Sequence, residues 1–122
     1  MAVNAAGELV GMLFGARNIA HTIHLKTTSF AEHKTLEEFY SGIVPLADAF
    51  AQQYQGRYNI RLEIPVVPNK YKGTISEVLR AQMEWIEGNR SSICPRTETS
   101  LHNVIDEIVG LYQNILYQLT LK

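Results

Sequence analysis

Three of the chain's four histidines, His21, His24 and His33, fall within thirteen residues. Neutral imidazole is a common ligand of transition metals, and it titrates close to neutral pH, so a local cluster is the most informative chemistry on offer. The polar residues that follow extend it. Glu37 stands one helical turn after His33, and Asp48 and Gln52 form a second pair one turn apart. At 3.6 residues per turn, His33, Glu37, Asp48 and Gln52 share one helix stripe, with Tyr40 and Val44 between them. A row of imidazole and carboxylate suits iron, zinc or manganese. The same residue types also collect on solvated helix faces. His24 falls near the middle of an apolar arc, where a core histidine satisfied by a hydrogen bond is the competing reading, and His21 lies at the edge of that arc. Arg17 offers either a partner for a carboxylate or a stem that snorkels along the surface.

Other chemistries find little support. Cys94 is alone and is followed by Pro95, so it makes no internal disulfide or thiolate cluster and reads as an ordinary buried or half-buried thiol in a reducing compartment. There is no glycine-rich phosphate loop and no nucleophile elbow. A di-iron site inside one helix bundle needs a Glu-x-x-His pair on each of two helices, which Glu84-Trp85-Ile86-Glu87 and the run from His102 to Asp106 do not supply. His102 and Asp106 are expected to form a surface pair or an interhelix hydrogen-bond unit. Trp85, Tyr112 and Tyr117 are expected in core or interface packing. Eleven Lys and Arg against twelve Asp and Glu leave a net charge of −1, which argues against nucleic-acid binding through phosphate neutralisation. The first eight residues lack the basic region of a signal peptide, and no apolar run approaches a membrane span, so a soluble cytoplasmic protein is expected.

The elements that must position these residues follow from periodicity. At 122 residues and 46% hydrophobic composition, a single domain spanning 1–122 with an ordinary core is expected. Leu9, Val10, Leu13, Ala16, Ile19, Ala20 and Ile23 line one arc of a first helix over about residues 5 to 26, with Gly11, Gly15, Asn18 and Thr22 opposite. Ser29, three residues before Glu32, has the spacing of a capping box and opens a second helix. Its core side is Leu36, Phe39, Ile43, Leu46, Ala47 and Phe50; Pro45 should bend it, and Gly56 should end it near Tyr54. Residues 58 to 71 alternate and then carry two prolines, the mark of an extended crossover with a short strand-like piece. Thr74 and Glu77 form a second capping box, opening a third helix to about Gly88. Residues 89 to 96 read as a loop, and a fourth helix runs from Thr97 or Thr99 to the C-terminus. The fold class is therefore all-α, a four-helix bundle with a long crossover between helices two and three, which is the ferritin-like arrangement.

His21-x-x-His24, a short interruption, then Phe30-x-x-His33-x-x-x-Glu37-x-x-Tyr40 and an Asp fifteen residues after His33 resemble the Dps proteins, the miniferritins that protect DNA in starved cells. The resemblance covers about residues 10 to 56. It implies a ferroxidase site on His24, His33, Glu37 and Asp48, with the final ligand position on Gln52, where the family has a glutamate. The loop from His24 to His33 is also about three residues shorter than in typical members, and the short chain suggests a reduced relative of the kind a phage encodes. DNA coating through a basic N-terminal tail, as some members perform it, is not expected of this chain.

Helix geometry tests that ligand set. Fifteen residues of helix rise about 22 Å, so His33 and Asp48 of one chain cannot touch one ion through bonds of about 2 Å. They meet only if a second copy packs its long helix antiparallel across a two-fold axis. A homodimer at least, or a closed shell built from it, is therefore expected. The resemblance implies binding and oxidation of Fe(II), with zinc or manganese as other candidate metals, in a host cytoplasm or a virion. The neutral amide of Gln52 removes one negative charge and a bridging ligand, which implies weaker or single-metal binding. The alternative is a catalytically degenerate relative that keeps the bundle as a structural or interaction protein, for example in a phage or other particle.

Overall fold

The computed structural model describes residues 3–122. Five helices follow one another: α1 (Ala5–Lys26), α2 (Phe30–Tyr58), α3 (Ile75–Gly88), the single turn α4 (Arg90–Ile93) and α5 (Thr99–Gln118). The class is all-α, with no strand among the described residues, so the strand-like piece expected in the crossover is absent. No helix among the described residues is long and apolar enough to cross a membrane.

Capping residues set most of the helix starts. The Asn4 side chain accepts from the Gly7 amide at 2.8 Å to open α1. Ser29 accepts from the Glu32 amide at 3.2 Å to open α2, one half of the expected box. Thr74 and Glu77 form both halves at the start of α3. Helix ends departed more from expectation. α2 runs unbroken through Pro45 and on through Gly56 to Tyr58, where Asn59 takes the left-handed conformation (φ 53°). Asparagine tolerates that region and ends the helix, while Tyr58 packed on Tyr54 at 4.8 Å offsets the weak helix preference of Gly56. The loop after α3 contains α4, held at its start by Arg90, which bonds Glu87 at 2.8 Å and Asp106 at 2.7 Å. α5 stops at Gln118 rather than at the terminus.

Cross-helix contacts fix the topology. α1 and α2 are antiparallel, since Asn4 reaches Tyr54, His21 meets Tyr40 and His24 meets His33. α2 and α5 are antiparallel, with Gln118 bonded to Glu38 at 2.8 Å and Leu111 against Gly42. α3 and α5 are antiparallel too, because Tyr112 donates to Gln82 at 2.9 Å while Arg90 meets Asp106. It follows that α2 and α3 run the same way, and the chain between them must travel the length of the molecule. Leu9, Leu13, Leu36, Phe39, Ile43, Phe50, Leu79, Ile86, Ile105 and Tyr112 are fully buried between the four long helices.

The crossover runs over the side of α1 that the periodicity assigns to solvent. Gly7, Gly11 and Gly15 are buried there. They lie against Glu63, Pro65 and Val67, and a Cβ at Gly11 would stand 2.6 Å from the Pro65 carbonyl oxygen. Three glycines spaced four apart let an extended chain lie directly on a helix backbone. α1 is thus covered on two sides, and the reading of Gly11 and Gly15 as an exposed face is corrected.

Candidate metal centre

His24 closes the last buried turn of α1, and His33 opens the first turn of α2, so the three-residue link Thr27–Ser29 brings them face to face. Their rings stack with centroids 3.7 Å apart and planes 15° from parallel. Each ring also bonds the other residue's backbone. His24 Nδ1 lies 2.6 Å from the His33 carbonyl oxygen, and His33 Nδ1 lies 2.8 Å from the His24 carbonyl oxygen. A carbonyl only accepts, so both Nδ1 atoms donate and carry the proton. The His24 carbonyl belongs to the last turn of α1, where intrahelical partners run out, and the His33 ring satisfies it. In a neutral ring these bonds fix the Nδ1–H tautomer and leave Nε2 as the acceptor. Fixing a ligand histidine through its other nitrogen is how metal sites set ring orientation and raise basicity.

Glu37, one turn along α2, turns its carboxylate to the same place. One nitrogen from each ring and a carboxylate oxygen lie within 4.8 Å of one another. His24 is buried; His33 and Glu37 are half-buried. Two imidazoles and a carboxylate gathered this closely are a candidate cation site. The rings lie nearly parallel, so an ion in the plane of one lies off the plane of the other, and binding all three residues to one ion requires a ring to turn as well as to approach. Two imidazoles and a carboxylate with positions left open fit iron(II), zinc, manganese or cobalt.

Of the five residues expected to ligate, the fold brings together His24, His33 and Glu37. Asp48 and Gln52 stand further along α2, exposed, and take no part in the cluster within one chain. Glu37, Val44, Asp48 and Gln52 leave a stripe of α2 half-buried or exposed. A depression of about 300 Å³ lined by Thr27, Thr28, Ser29, Phe30 and His33 opens beside the cluster, and Phe30 is 76% exposed at its rim.

The surroundings hold features that spacing did not reveal. Tyr40 lies edge-on to His24 at 5.2 Å, with the His21 ring stacked on it at 4.2 Å and the Arg17 guanidinium 5.6 Å from its centre. Arg17 bonds Asn18 at 3.1 Å rather than a carboxylate. Aromatic and cationic residues four apart on α1, facing a tyrosine on α2, were the available signal. Away from the centre, His102 and Asp106 do not pair with each other. His102 is buried and its Nε2 lies 3.1 Å from the Cys94 carbonyl oxygen, while Asp106 reaches across to Arg90. Cys94 is buried, and that burial pushes its thiol pKa up. Trp85 packs against the core and Tyr112 lies within it, whereas Tyr117 is exposed and off the core.

A family model described as "Family of unknown function (DUF5856)" matches residues 24–119, a span that starts at His24 and holds all five expected ligands. The chain belongs to that family. It is also 29% identical over 117 residues, 96% of this chain and 89% of the relative, to the "Uncharacterized 14.6 kDa protein in mobD-ri intergenic region" of Enterobacteria phage T4. A phage relative agrees with what the short chain suggested. No solved structure matches the chain. Neither match carries the Dps name, so that resemblance rests on the residues alone.

Proposed function

We propose that this chain is a ferritin-like, Dps-like metal-binding protein that takes up Fe(II) at His24, His33 and Glu37, working as a homodimer or larger shell. The observation that carries this reading is the gathering of one ring nitrogen from each of His24 and His33 and a Glu37 carboxylate oxygen within 4.8 Å of one another, with both rings held by reciprocal bonds to backbone carbonyls. In a two-fold pair, Asp48 and Gln52 of the second copy lie opposite Glu37 and His33 and supply the remaining contacts, because antiparallel α2 helices place the far end of one beside the near end of the other. The chain's residues hold and orient the iron, and dioxygen takes its electrons. Carboxylate stabilises Fe(III) more than Fe(II), which favours the oxidised product. The parallel run of α2 and α3 and the long crossover between them support the ferritin-like reading.

A second reading is supported by Gln52. Its amide replaces a bridging carboxylate, which suits a catalytically degenerate relative kept for structure or interaction in a particle. Anaerobic Fe(II) titration followed by the absorbance change on adding oxygen separates the two. The metal reading expects saturable Fe(II) binding in the parent chain, loss of binding in His33→Ala, and tighter binding with faster oxidation in Gln52→Glu. No binding in the parent and no gain in Gln52→Glu would leave the structural reading in its place.

A further inference from the structure

Several stretches of the chain meet at one pole of the bundle. α1 ends there, α2 and α3 begin there, and α5 finishes beside them with Gln118 bonded to Glu38 at 2.8 Å. The last residues of the crossover join the same pole, where Tyr71, Lys26, Glu32 and Thr74 line one depression of about 320 Å³. Five of the nine large apolar side chains exposed among the described residues stand at this pole, from Tyr71 at 40% exposed to Phe30 at 76%. All five lysines of the chain stand there too, every one exposed. The two sets are interleaved. Leu25-Lys26, Lys70-Tyr71-Lys72 and Leu121-Lys122 are contiguous in sequence, and Phe30 and Lys34 lie about one helical turn apart on α2. None of the six arginines adjoins an exposed large apolar residue in sequence, and no lysine enters an ion pair among the described residues.

We propose that this pole is a docking surface for an anionic lipid membrane, which the protein meets without crossing. The proposal is independent of the metal reading. Lysine carries its charge on a long apolar stem, so it lies at an interface with the stem in the lipid boundary and the ammonium among the headgroup phosphates. Aromatic and aliphatic side chains beside it enter the same boundary, where a tyrosine keeps its hydroxyl in water. Apolar knobs separated by lysines suit a fluid surface, which closes round each one, whereas a protein partner would need a matching pocket for each. Glu32, Glu37, Glu38 and Glu77 share the pole, with Glu38 taken up by Gln118 and Asn114 and Glu77 by its capping box. The surplus of positive charge is therefore small, and binding needs the apolar side chains as well as the lysines. No helix among the described residues is long and apolar enough to cross a membrane, so the contact stays at its surface. In an antiparallel pair of α2 helices the two such poles lie at opposite ends, and one of them meets the membrane.

The test is flotation of the purified protein with vesicles of phosphatidylcholine, alone or with about one third phosphatidylglycerol, at low salt. The parent is expected to float with the anionic vesicles, to stay behind with the neutral ones, and to be released at about 0.5 M salt, where screening shortens the reach of the lysines. Lys70→Gln combined with Lys72→Gln, and Leu25→Gln combined with Phe30→Gln, should each weaken binding by about tenfold or more, while Arg61→Gln combined with Arg96→Gln stays within twofold. Circular dichroism checks that each variant retains the parent's helicity. In Phe30→Trp, anionic vesicles should shift the fluorescence to the blue beyond any shift of Trp85 in the parent, as the new ring leaves water. A parent that ignores anionic vesicles, or that binds neutral ones equally well, overturns the proposal. So does binding that both pole variants retain. Saturable binding to soluble polyglutamate in place of vesicles, lost in the Lys70 and Lys72 variant, overturns it too and assigns the pole to an acidic protein surface.

Discussion

Comparing His33→Ala with Glu37→Gln separates the structural work of the cluster from its work on a metal. His33→Ala deletes the 2.8 Å bond to the His24 carbonyl and the ring stacked at 3.7 Å. The hydrogen bond contributes about 0.5–1.5 kcal/mol and the stacked pair about as much, so the metal-free variant is expected to lose about 1–3 kcal/mol. For a domain of this size that is a fall in Tm of roughly 5–15 °C. The Glu37 carboxylate makes no hydrogen bond among the described residues, so Glu37→Gln should change metal-free stability by no more than about 0.5 kcal/mol. Metal changes the comparison. At a free concentration one hundred times its dissociation constant, an ion adds about 2.7 kcal/mol to a protein that binds it only when folded. Thermal melts in chelator and in Zn(II) or Co(II) should therefore show the parent rising and both variants flat. A Glu37→Gln variant that gains as much from metal as the parent would refute the reasoning.

Other expectations follow from the packing. Gly11→Ala should destabilise by about 1–3 kcal/mol in urea titrations, since its methyl meets the Pro65 carbonyl at 2.6 Å, whereas Gly110→Ala, with open space around it, should gain up to about 1 kcal/mol. Burial raises the pKa of the Cys94 thiol and the Tyr112 phenol. The unfolded chain releases those protons first, so stability should hold below about pH 8.5 and decline above it, and Cys94→Ala should flatten the early part of that decline in urea titrations between pH 8 and 10. Cys94 should also react slowly with a thiol reagent until denaturant is added, and fast labelling of the native protein would contradict its burial.

Sequence pattern and structure agree where a local rule decides the outcome. The apolar arc of α1, the core side of α2 and the capping box at Thr74 are all local, and each stands where periodicity and capping chemistry place it. Errors arose where a distant segment decided. Gly56 looks like a stop signal, but the packing of Tyr58 on Tyr54 carries the helix past it to Asn59. Gly7, Gly11 and Gly15 look like a bare helix face until the crossover, some fifty residues later, lies on them. The candidate site divides the same way. Spacing alone suggests that His33 and Glu37 share a stripe. That His24 joins them, through two ring-to-carbonyl bonds across a helix corner, is a tertiary fact that spacing does not encode. Asp48 and Gln52 are held apart from the trio by the rise of their own helix, and within one chain nothing brings them near.

Native mass spectrometry of the purified protein, before and after anaerobic incubation with Fe(II), tests the central claim most directly because it counts chains and metal ions in one spectrum. The account expects an assembly with an even number of chains that carries at least one iron per chain, and no iron in the Glu37→Gln assembly. A metal-free monomer at micromolar concentration, or equal iron in the parent and Glu37→Gln, would contradict it.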